Sequence, residues 1–105
     1  MSRPEVRFQT SAVERFLRYV TFDTEADINS PTSPSTAKQW DLLRHLADEL
    51  RGIGCTEVEL LDHGYVFGTV PATSGKEHVP TIGFVAHVDT SPEMSGAGEI
   101  GRAHV

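Results

Sequence analysis

The chain has 105 residues, of which 9 are Lys or Arg and 15 are Asp or Glu, for a formal net charge of -6. That length suits one small domain, and the acidic balance excludes the basic patch that nucleic-acid phosphates require. No apolar run is long enough to span a bilayer, the start MSRPEVRFQTS lacks the apolar stretch of a secretory signal, and the single cysteine, Cys55, excludes an internal disulfide framework and fits a reducing compartment, the cytoplasm.

Residues 1–10 read as a loose arm. Ser11 with Glu14 has capping-box spacing, and Val13, Phe16, Leu17 and Val20 fall on one face of a first helix. The stretch TFDTEADINSPTSPST is rich in Ser, Thr, Asp and Pro, has no period, and reads as a loop. Thr36 with Gln39 repeats the capping spacing and opens a second helix, whose stripe is Trp40, Leu43, Leu46, Ala47 and Leu50 and whose stop is Gly52 followed by Gly54. Three strands are expected next. TEVELL at 56–61 alternates, with Glu57 and Glu59 on its wet face. Asp62, His63 and Gly64 turn the chain into YVFGTV at 65–70, a hairpin partner. After a polar loop, TIGFVAHV at 81–88 is apolar on both faces, as an inner strand of a covered sheet would be. Two helices followed by three strands, without a repeat, predict an α/β or α+β layer with helices covering a sheet, taken as the α/β fold class with a mixed sheet. The folded unit is read as residues 11–98. The closing EIGRAHV, residues 99–105, is the translation of a common short-read sequencing-adapter string and is read as a non-native tail, set aside from the fold.

The apolar run ends on two ionisable groups, in GFVAHVDTSP. Side chains alternate along a strand, so His87 and Asp89 share a face if the strand runs through both. In open α/β sheets, sites gather at the carboxyl ends of strands. A neutral imidazole is a zinc ligand, and a nearby carboxylate can accept its other N–H, fix the tautomer and raise its basicity. H-x-D alone is a weak signal, and a bare triplet is more often a solvated strand end.

The surroundings of the triplet are more specific. The pieces ERFLRYV, DT at 23–24, PST at 34–36, QWDLLRHLADEL, GTVPAT and IGFVAHVDTSPEMSG occur in the order and at about the spacing of one family. From about Ala12 to Gly98 the chain resembles the N-terminal part of peptidase T, a family of tripeptide aminopeptidases in the wider clan of co-catalytic zinc exopeptidases and deacylases. The resemblance implies a partial, truncated catalytic domain at 11–98. It implies a hydrolase of peptide catabolism that releases the N-terminal residue of a tripeptide with metal-activated water. Two zinc ions serve the intact site; His87 matches a metal ligand, and Asp89 matches the catalytic aspartate that supports it. The remaining ligands and the general base of the family have no match here, so the 105-residue chain is expected to be inactive by itself. Expected partners are a short peptide substrate, with no nucleic acid and no membrane, and intact members can be homo-oligomers. Alternatives are a dipeptidase or N-acyl amino-acid deacylase of the same clan, or a non-catalytic stand-alone α/β binding domain.

Other tempting residues have plainer explanations. His45 falls on the polar face of the second helix and reads as solvated. His63 reads as a turn residue and His78 as loop filler, and His104 belongs to the tail. Cys55 reads as a small buried hydrophobe and Trp40 as core. Asp23 and Thr24 need only a loop or capping role, and Ser91 and Pro92 shape the turn after the candidate pair.

Overall fold

The computed structural model describes residues 10–93; all but Thr10 of the expected arm at 1–10, the last residues 94–98 of the expected folded unit, and the tail at 99–105 lie outside the described residues. Helix α1 (Ala12–Tyr19) is followed by a looped stretch, helix α2 (Gln39–Gly52), and an antiparallel hairpin of strands β1 (Thr56–Leu60) and β2 (Val66–Thr69). α2 packs on both strands. Leu42, Leu43 and Ala47 form the buried apolar core, joined by two buried polar residues, Thr24 and Gln39. The mixed α and β content agrees with the expected class.

Both helices are where the periodicity puts them, but their starts are not capped as expected. Ser11 precedes α1 without a side-chain cap; its hydroxyl accepts from Arg15 Nε at 2.6 Å, and the Ala12 amide donates to Thr10 Oγ1 instead. Thr36 spends its hydroxyl on the Glu25 carbonyl, and Gln39 donates from Nε2 to Ser35. The first amides of α2 are satisfied by tight i→i−3 bonds, Gln39 to Thr36 and Trp40 to Ala37. In both places a tertiary or local partner outcompetes the reciprocal cap.

The end of α2 is tidier. Gly54 takes the left-handed conformation at φ 98°, its amide donates to Arg51 and the next amide, of Cys55, donates to Leu50. That pair of bonds is a Schellman termination, in which the residue at Gly54's position needs positive φ. Gly52 is the last helical residue, and the stop belongs to Gly54.

The hairpin pairs Leu60 with Val66 and Glu59 with Phe67, then slips by one residue to pair Thr56 with Thr69. The slip is a bulge, and Glu57 within it has φ 51°. Gly64 closes the turn at φ 84°, and a Cβ there would lie 2.8 Å from Pro34 Cδ, so both backbone and space require glycine.

Two expectations fail. The third strand does not form. Residues 81–89 carry no strand assignment, and the only bridge in this part of the described chain joins Thr90 to Glu25 in parallel. Phe84 is 95% exposed and Val85 100%. An apolar pattern records a demand for burial; a strand also needs a neighbour offering N–H and C=O groups, and none of the described residues lies beside 81–88 to offer them. Among the described residues the sheet is accordingly a two-stranded antiparallel one, not a mixed three-stranded one. The apolar stripe of α1 is also only partly covered. Val13 and Phe16 are exposed, Leu17 and Val20 are half-buried, and α1 buries no residue fully. It is held from its other side, where Arg15 and Tyr19 both bond Glu49 on α2.

Candidate functional site

Past β2 the described chain runs from Val70 to Glu93 without regular structure. Among the described residues, the hydrogen bonds that tie 71–93 to the rest of the molecule are the two at Thr90. The Thr90 amide donates to the Thr24 carbonyl at 3.1 Å, and the Ala26 amide donates to the Thr90 carbonyl at 2.9 Å. The receiving loop at 23–26 is itself well held. Asp23 Oδ1 accepts the Glu25 amide at 3.2 Å, an Asx-type turn. Thr36 Oγ1 donates to the Glu25 carbonyl at 2.8 Å. Lys38 Nζ, from the residue before α2, lies 3.1 Å from Asp23 Oδ2 and 3.8 Å from Glu25 Oε2. The Glu25 amide bond first, and then Lys38, hold the Asp23 carboxyl below its usual range.

One residue before this anchor lies the pair singled out by the sequence. His87 Nδ1 is 2.8 Å from Asp89 Oδ1 and 3.0 Å from the Asp89 carbonyl oxygen. Both oxygens are acceptors, so Nδ1 carries the hydrogen and donates to them. The neutral ring therefore keeps its free lone pair on Nε2, and the ring is 85% exposed. The Asp89 side-chain bond, helped by its carbonyl and its charge, raises the His87 pKa above 6.5. The structure thus brings His87 and Asp89 together. It does so in a stretch that carries neither a strand nor a bend assignment. Chemically, the pair offers one oriented nitrogen donor of enhanced basicity. Among the described residues, no group of three or more His, Cys, Asp or Glu side chains is placed to share a metal ion with it.

His45 departs from its expected place. It is half-buried, with Tyr19 edge-on at 6.0 Å and Phe22 at 5.4 Å between ring centroids. Its Nε2 is 3.7 Å from Glu49 Oε2 and has no hydrogen-bond partner among the described residues. Burial alone would raise Glu49, but the Tyr19 hydroxyl, the Arg15 charge and His45 outweigh it and hold the carboxyl below its ordinary value. The i, i+4 spacing of His45 and Glu49 was the available sequence signal. What it could not show was that Tyr19 and Phe22 fold over the ring. A cavity of about 320 Å³ lies here, lined by Arg15, Tyr19, Leu46, Glu49, Leu50 and Ile53, among others. It includes neither His87 nor Asp89, and its charged groups already satisfy one another.

The remaining candidates are plain. His63 is exposed in the hairpin turn, its carbonyl accepting from Ser33 Oγ at 2.8 Å, and His78 is exposed in the polar loop. Cys55 is half-buried, beside Gly68. Trp40 is half-buried rather than core, with the Arg44 guanidinium 5.9 Å from its ring centre; Leu42 takes the core position. Ser91 Oγ accepts the Glu93 amide, a turn role. Thr36 and Lys38 were not among the sequence candidates, yet with Asp23 they build the loop that holds Thr90.

No protein-family model matches the chain. Curated proteins do. It is 50% identical to peptidase T of an Exiguobacterium species over 88 residues, 84% of this chain and 21% of that protein. It is 55% identical to peptidase T of Geobacillus thermodenitrificans over 84 residues, 80% of this chain and 20% of that protein. The chain is a relative of peptidase T. Peptidase T of Clostridium acetobutylicum is similar to the same degree, 52% identical over 84 residues. The chain spans about a fifth of the length of the curated peptidase T relatives it matches.

Proposed function

We propose that the intact protein carrying this chain is a zinc-dependent aminopeptidase that releases the N-terminal residue of tripeptides. The observation that supports it best is the Nδ1–H bond from His87 to Asp89, which leaves Nε2 as an oriented donor. In this reading His87 holds one of two zinc ions through Nε2, and Asp89 supports it from the other side of the ring. The residues fit that part of a zinc centre: a neutral histidine backed by a carboxylate, exposed on the side where Nε2 lies. When bound, the zinc pair supplies a water of lowered pKa and polarises the scissile carbonyl. Asp89 fixes the tautomer, keeps the ring from rotating, and makes Nε2 more basic than an unsupported histidine. A zinc site needs three or four ligands, and the chain contributes one, so the 105-residue chain alone is not expected to hydrolyse peptides.

The word peptidase in the relatives' names supports peptide hydrolysis over the deacylase alternative. The same reading takes a short peptide as the substrate and the cytoplasm as the compartment. Among the described residues no helix is long and apolar enough to cross a membrane.

The test is metal content paired with tripeptide kinetics on the full-length protein. His87→Ala is expected to lower bound zinc and to reduce the rate severely. Asp89→Asn keeps the size and one acceptor oxygen but loses the charge, so it should retain more zinc while losing about 10–100-fold in activity. Wild-type rates in Asp89→Asn, or both zincs retained in His87→Ala, would overturn the reading.

A further inference from the structure

The segment that carries His87 and Asp89 is, by itself, poorly held. Its side chains up to His87 are exposed, and its own hydrogen bonds are local. What joins it to the folded part is Thr90, through the Thr24 carbonyl and the Ala26 amide. Those two groups sit on a four-residue loop with no regular structure, so the loop must be fixed before it can fix anything else. Three contacts do this. Asp23 closes the turn onto the Glu25 amide, Thr36 pins the Glu25 carbonyl, and Lys38 bridges the Asp23 and Glu25 carboxylates. Two carboxylates two residues apart repel, and Lys38 is the cation that lets them stay together. Lys38 belongs to the turn that opens α2, the helix that carries the buried core.

We propose that Lys38 and Asp23 are positioning residues for the His87–Asp89 pair, acting through the loop at 23–26 and its two bonds to Thr90. The claim rests on the reading of His87 and Asp89 as ligand and support. Neither Lys38 nor Asp23 touches the imidazole; they set where Thr90, and so the adjoining Asp89, is held. With the loop loosened, Asp89 keeps its place less of the time and the ring loses the partner that selects its tautomer.

The test uses the 105-residue chain without metal or substrate. Lys38 is 40% exposed, so its ion pairs have the modest strength of surface pairs. Lys38→Met should speed hydrogen exchange at the Thr90 and Ala26 amides about three- to five-fold. The Leu61 amide, bonded to Tyr65 within the hairpin, serves as the control and should not change. Nitrogen NMR of the neutral His87 ring should move away from the Nδ1-protonated tautomer, a shift that a lysine of merely structural importance would not produce. Lys38→Arg should preserve both signals. Unchanged exchange at Thr90 and Ala26, or faster exchange with an unmoved His87 tautomer, overturns the proposal. If Lys38→Met also strips the Leu61 amide of protection, the isosteric Asp23→Asn is read by the same comparison, and its silence is equally decisive. Zinc content of the full-length His87→Ala protein is a separate measurement; a failure there refutes the zinc reading and leaves the positioning result standing.

Discussion

The Tyr19 hydroxyl on α1 donates to the Glu49 carboxylate on α2, and Arg15, one turn earlier, reaches the same carboxylate. These contacts matter because α1 buries no residue of its own. Its attachment to α2 is polar where the sequence pattern called for apolar packing. A hydrogen bond to a charged acceptor contributes about 1.5–3 kcal/mol, and partial exposure puts this one toward the lower end. Tyr19→Phe is therefore expected to loosen α1 by about 1.5 kcal/mol, seen as faster amide exchange within Ala12–Tyr19 while α2 keeps its protection.

The same pairing makes the docking of α1 sensitive to acid. Glu49 has a carboxyl pKa below its ordinary 4.5 in the folded chain. A depressed carboxyl pKa contributes stability that is fully present above the unfolded value and is lost as pH falls through the folded one. Exchange protection in α1 should hold from neutral pH down to about 4.5 and fall below it. Glu49→Gln should remove that pH dependence, and a helix that stays protected through the acid range in the wild-type chain would refute the coupling.

Leu43 on α2 is 2% exposed, in the small apolar core. Leu43→Ala is expected to cost about 2–5 kcal/mol, measured by urea denaturation. In a core of so few apolar residues that is a large share of what holds α2 and the hairpin together. Leu46→Ala, at a half-buried position of the same helix, should cost less.

Gly54 and Gly64 both have positive φ but differ in their surroundings. A Cβ at Gly54 meets nothing within 4 Å, whereas at Gly64 it meets the Pro34 ring at 2.8 Å. Gly54→Ala should cost only the left-handed backbone penalty, about 1–2 kcal/mol. Gly64→Ala adds a collision with a rigid ring and should cost more. Equal losses in paired denaturation curves would mean that the Pro34 contact is not tight.

His87 should titrate above 6.5, because protonation strengthens its bond to Asp89 and adds attraction to the carboxylate. A raised histidine pKa contributes stability that is full below the unfolded value and is lost as pH rises through the folded one. Proton NMR of the ring should show the midpoint falling toward 6.5 in Asp89→Asn and further in Asp89→Ala. The order follows from the causes: asparagine loses the charge but keeps an acceptor, and alanine loses both.

Local chemistry was legible in the sequence. The 3.6 period located both helices, alternation located β1, and the Asp62–Gly64 turn placed β2 as its hairpin partner. The motif around HVD pointed to the pair that the structure brings within 2.8 Å. These features depend on neighbours a few residues apart, which a sequence displays directly. What lay beyond it depended on partners distant in the chain. Thr36 and Gln39 look like a cap until Glu25 and Ser35 compete for them. His45 looks solvated until Tyr19 and Phe22 close over it. TIGFVAHV looks like an inner strand, yet a strand exists only where another backbone lies beside it, and among the described residues that happens only past its end, at Thr90. A side-chain pattern states which surfaces need cover. Only the tertiary structure decides which groups arrive to supply it, because backbone pairing and buried polar contacts are settled by three-dimensional competition among partners far apart in the chain.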